Sequence, residues 1–77
     1  MNYEQLEGIQ KAGYIIAKLL ADKIFFEWEI MHQNHIIDLL TKYNHELKLF
    51  INPVTVFQKM IEYEIIIHKH DNYYSTK

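Results

Sequence analysis

Apolar residues in the first third of the chain recur at spacings of three and four. Leu6, Ile9, Gly13, Ile16, Leu20 and Ile24 form one stripe of an amphipathic helix in a segment from about Tyr3 to Met31. A second helical segment follows Asn34, a suitable N-cap, and places Ile36, Leu39, Leu40, Tyr43 and Leu47 on one face. The third opens with Asn52 as N-cap and Pro53 at the first helical position, where a missing N–H costs nothing. Val54, Phe57, Ile61, Ile65 and His68 then keep helical spacing. Both glycines, Gly8 and Gly13, lie early and the only proline is Pro53. Turns elsewhere therefore fall to asparagine, at Asn34, Asn44 and Asn52, with Asp71-Asn72 closing the ordered part.

Two stretches depart from this period. Phe26-Glu27-Trp28-Glu29-Ile30 and Ile61-Glu62-Tyr63-Glu64-Ile65 both alternate apolar and acidic, as half-buried strands do. A helix would set Glu64 inside the apolar stripe, whereas strands would turn all four glutamates to solvent. Against strands, no Gly, Pro, Asn or Ser separates Phe57 from Asp71 to mark a switch of structure. The pattern therefore predicts a mainly α protein, a small domain of three helical segments. The alternative is an α+β fold with short strands near residues 24–31 and 61–69. Residues 1–77 read as a single domain with a fraying tail at 72–77.

Length changes this picture in one respect. A 77-residue chain buries only about 60% of the surface its unfolded form exposes. Such small cores are reinforced by disulfides, a metal or another chain, and there is no cysteine here. A homodimer is the expected reinforcement. The start of the chain, Met1-Asn2-Tyr3-Glu4-Gln5, is polar and acidic rather than basic and then apolar, and no apolar run approaches the ~20 residues of a membrane span. The expected location is cytoplasmic, away from membranes. All eight basic residues are lysine, against twelve isoleucines and six tyrosines. That bias is what AT-rich coding produces, pointing to a low-GC bacterium or its phages and plasmids.

Charge and chemistry exclude more than they assign. The net charge of -2 gives no global attraction to nucleic acid, and without arginine the chain lacks the commonest bidentate reader of guanine. Five histidines include His32 and His35, which share a face if helical, and His68 and His70, which share one if extended. Asp71 adjoins the second pair and His45-Glu46 lies between, but the pairs require opposite local structures, so no metal or other cofactor is assigned. Serine occurs once, at Ser75, threonine at Thr41, Thr55 and Thr76, and none has an evident base. No phosphate loop or dinucleotide fingerprint is present. Catalysis is not expected.

The aromatic residues carry the functional expectation. On a continuing helix Ile24, Trp28 and Met31 would share one face while Phe26 and Ile30 point opposite, and a small monomer cannot bury both sides. An interface is the reading adopted, with Phe25, Phe26, Trp28, Ile30 and Tyr63 as anchors and Glu27 and Glu29 supplying polarity. The expected function is a non-enzymatic protein-binding module. Its most concrete form is a small phage or mobile-element protein that inhibits a host protein of replication, transcription or defence. The alternative is a helix-turn-helix DNA-binding regulator, with Lys42, Lys48, Lys59 and Lys69 converging on one face.

Overall fold

The computed structural model describes residues 8–26 and 28–76, apart from the side chains of Ile9 and Gln10. Three helices, α1 (Gly8–Ile24), α2 (Gln33–Leu47) and α3 (Pro53–Glu62), alternate with a small sheet of β1 (Met31–His32), β2 (Ile67–His70) and β3 (Tyr73–Ser75). The sheet is antiparallel with order β1-β3-β2, so the last strand of the chain lies at its centre. The fold is mainly α with a short three-stranded sheet.

α1 is helical, but it is rotated from the expected stripe and stops earlier. Ala17, Leu20, Ala21 and Ile24 turn into the core, while Ile15, Ile16 and Leu19 stay exposed. Alanine permits close approach of the other two helices, and a helix apolar on both sides leaves the choice of face to its neighbours. The Phe25 amide still donates to the Ala21 carbonyl at 2.9 Å, after which Trp28 N–H bonds back to the Phe25 carbonyl at 3.2 Å and the chain reverses. Phe25 and Met31, on either side of that reversal, are both buried in the core. The alternating stretch 26–30 is neither helix nor strand; β1 begins only at Met31, paired with Tyr74.

The start of α2 is capped by His32, two residues before the expected Asn34. His32 has extended backbone (φ -70°, ψ 144°), and its Nδ1 accepts from the Asn34 amide at 3.1 Å. Ile36 and Leu40, one turn apart, are fully buried. α3 begins as its sequence requires: the Asn52 side chain accepts from the amides of Val54 (3.0 Å) and Thr55 (3.2 Å), and Pro53 follows. Phe57, Met60 and the following Tyr63 face inward.

The helix ends where the sequence showed no punctuation. Glu64 adopts a left-handed conformation (φ 59°), and the amides of Ile65 and Ile66 both bond to the Met60 carbonyl, at 2.9 and 3.2 Å. The turn thus uses a residue type that ordinarily avoids this region, and Ile65 and Ile66 drop into the core behind it. Lys48, Phe50 and Asp71 take positive φ as well, so side-chain-bearing residues make the turns that glycine makes elsewhere.

Residues 72–77, of which Lys77 lies outside the described residues, were expected to fray. Instead Asp71-Asn72 turns a hairpin and β3 pairs on both sides, with Tyr74 edge-on to Phe57 (ring centroids 5.1 Å) and Ser75 buried. The Asn72 carbonyl also accepts from the Gln33 amide at 2.7 Å, joining the hairpin to the start of α2.

Candidate functional site

Of the residues singled out as an interface, two belong to the interior. Phe25 and Tyr63 are buried in the chain's own core, with Tyr63 tilted against Tyr14 at 5.8 Å, so neither can meet a partner. Phe26, Trp28, Glu29 and Ile30 are exposed; Glu27 lies outside the described residues. The exposed set divides between two places. Glu29 and Ile30 line a shallow depression of about 500 Å³ with Lys69, His70 and Ser75 of the sheet. Phe26 and Trp28 face the other way.

They border a depression of about 270 Å³ between the end of α1 and the outer flank of α2, together with Lys23, Ile24, His35, Leu39 and Tyr43. His35, Leu39 and Tyr43 are spaced i, i+4, i+8, so α2 supplies one continuous wall beside its buried Ile36–Leu40 ridge. Trp28 stands edge-on to the His35 ring with centroids 6.0 Å apart. Lys23 Nζ lies 5.1 Å from the centroid of Tyr43, and Lys42 Nζ lies 5.7 Å from it. The result is an aromatic floor with a cationic rim, held by two helices. Phe26 is 84% exposed and Trp28 54%, far more than side chains of this size show in a core.

A third depression, of about 430 Å³, lies at the α2–α3 corner among Asn44, His45, Lys48 and Phe50. It and the sheet depression are larger, but each has at most one large apolar anchor. The groove at Trp28 combines three aromatic residues, the types that dominate binding energy. Its α2 wall was not separated in the sequence from the core stripe containing Leu39 and Tyr43. The signal was present: two adjacent i, i+4 rows, Ile36–Leu40 and His35–Leu39–Tyr43, of which only the first is fully apolar.

The histidines do not assemble. His32 caps α2 and stands edge-on to Tyr73 at 5.1 Å, while His35 belongs to the groove. On β2, His68 pairs with Tyr74 and His70 with Tyr73, the register shifting between them. Tyr73 and Tyr74 are successive and point to opposite faces, so this bulge also sends His68 and His70 to opposite faces. His68 Nε2 donates to the Asp71 carbonyl at 2.6 Å, and His70 lies 3.6 Å from the Asp71 carboxylate. Among the described residues no group of three His, Asp or Glu side chains is placed to hold a metal ion.

The lysines of the helix-turn-helix alternative occupy separate settings. Lys42 lies by Tyr43, Lys48 beside Phe50, and Lys69 on β2 near Glu29. Lys59 bonds to Glu62 at 3.0 Å, and that hydrogen bond and charge hold its ammonium above the usual lysine pKa. Among the described residues no helix is long and apolar enough to cross a membrane. No protein-family model, curated protein or solved structure matches this chain.

Proposed function

We propose that this chain is a non-enzymatic protein-binding module that docks a partner in the groove edged by Phe26 and Trp28. The observation that carries the reading is the outward display of these two aromatic residues beside the His35–Leu39–Tyr43 wall of α2. A small domain that leaves a Phe 84% and a Trp 54% exposed side by side retains apolar surface that a partner would cover. Lys23 and Lys42 at the rim favour a partner with acidic residues around an apolar anchor. The composition favours a phage or mobile element of a low-GC bacterium as the source, and a host protein of replication, transcription or defence as the partner.

The test compares the wild-type chain with a Phe26→Ala/Trp28→Ala double variant and with Phe50→Ala as a distant aromatic control. Each is used to capture proteins from lysate of such a bacterium. The reading requires a stoichiometric protein retained by wild type and Phe50→Ala and lost by the double variant, with unchanged circular dichroism. Trp28 is the only tryptophan, so its fluorescence should shift to the blue when the purified partner is added. Retention of that protein by the double variant, or no spectral change, would remove the groove from the argument.

A further inference from the structure

The outward face of α1 holds a second apolar surface, separate from the groove. Ile15, Ile16 and Leu19 are 46%, 39% and 64% exposed, and Ala12 is exposed beside them. At about 100° per residue these four positions fall within about 100° of the helix circumference, opposite the buried Ala17–Leu20–Ala21–Ile24 face. Such a stripe on a surface helix calls for a partner.

We infer that this ridge is the seam of a homodimer in which α1 packs antiparallel against α1 of a second copy. Size complementarity within the ridge points to a copy of itself. Reversing one helix sets Ala12 opposite Leu19 of the other copy and Ile15 opposite Ile16, so large meets small at the ends and like meets like at the axis. A parallel pair would crowd Leu19 against Leu19 and leave Ala12 facing Ala12 across a gap. Charge agrees. Lys11 and Asp22 lie on the same flank of the ridge near its two ends, and antiparallel helices bring like flanks together. Lys11 of each copy then approaches Asp22 of the other, extending the Lys18–Asp22 pair (3.1 Å) into a network across the two-fold axis. The seam uses none of the groove residues, so this inference stands or falls apart from the proposed function.

The apolar seam is only about two turns long, well short of the ~800 Å² per partner of a standard interface, so a weak, concentration-dependent dimer is expected. Sedimentation of the full chain from low micromolar to about 500 µM should show the mass rising from 9.4 kDa toward twice that value. Leu19→Glu, at a position 64% exposed and so compatible with folding, should raise the dissociation constant at least about tenfold. Phe26→Ala/Trp28→Ala should leave it unchanged. Orientation is read by single cysteines placed in this cysteine-free chain. Ile15→Cys sits near the axis and should oxidise to a covalent dimer, whereas Leu19→Cys, offset by about 10 Å along the helix from its own copy, should not. A monomer throughout the range, an unaffected Leu19→Glu variant, or equal cross-linking at both positions would overturn the inference.

Discussion

Asn44 and Ile51 are joined by two hydrogen bonds: the Asn44 side chain donates to the Ile51 carbonyl at 2.8 Å and accepts from its amide at 3.0 Å. This bridge ties the last turn of α2 to the residue before the Asn52 cap of α3. It holds the corner in which Leu49 and Ile51 pack on the core while Phe50 points out, 93% exposed. Asn44→Ala leaves both backbone groups of a part-buried residue without their partner. It should destabilise by about 1–3 kcal/mol, seen as a lower urea midpoint at unchanged slope. Asn44→Asp keeps the acceptor for the Ile51 amide but sets a carboxylate oxygen against the Ile51 carbonyl, so at neutral pH it should cost at least as much.

The starts of α2 and α3 separate capping residues from bystanders. His32→Ala should cost about 1 kcal/mol because it removes the acceptor for the Asn34 amide, while Asn34→Ala should be close to neutral. Asn52→Ala, which removes an acceptor used by two amides, should cost about 1–2 kcal/mol and Asn52→Asp little. Urea melts of the four variants check the ranking.

Lys48 ends α2 with φ 52° and ψ 48°, a conformation that glycine adopts without a Cβ clash. Lys48→Gly should therefore stabilise the protein by about 0.5–1 kcal/mol, the relief of strain exceeding the entropy lost from a more flexible unfolded chain. A higher melting temperature would show it; a lower one would mean that the lysine side chain itself holds the corner.

Ending the chain at Asn72 removes β3, the strand that both edges of the sheet require, and uncovers Phe57 and Met31. The shortened chain should lose cooperative unfolding and bind hydrophobic dyes, with dispersed amide signals collapsing in its NMR spectrum. A truly frayed tail would leave all three measurements unchanged.

Local chemistry was enough for some of this protein. Asn52-Pro53 specifies the start of α3 because cap and fixed φ act within one turn, whatever surrounds them. Helical periodicity likewise marks α1 and the body of α2, whereas the continuing helix that would have set Phe26 and Trp28 on opposite faces gives way to a turn that brings both to one groove. Other features depend on contacts far along the chain. Which face of α1 is buried could not be read from a helix with Ile15, Ile16 and Leu19 on one side and Leu20 and Ile24 on the other; packing against α2 and α3 selects the alanine side. The ends of α1 and α3 carry no breaking residue, and Phe25, Met31, Ile65 and Ile66 reach the core only if the chain turns there. A left-handed Glu64 is tolerated because burial of the two isoleucines behind it outweighs a cost of about 1–2 kcal/mol. Tyr73-Tyr74-Ser75 resembled a tail since three residues have no period of their own. They become the central strand because Met31 and His32, some forty residues earlier, and the bulged β2 offer hydrogen bonds on both sides.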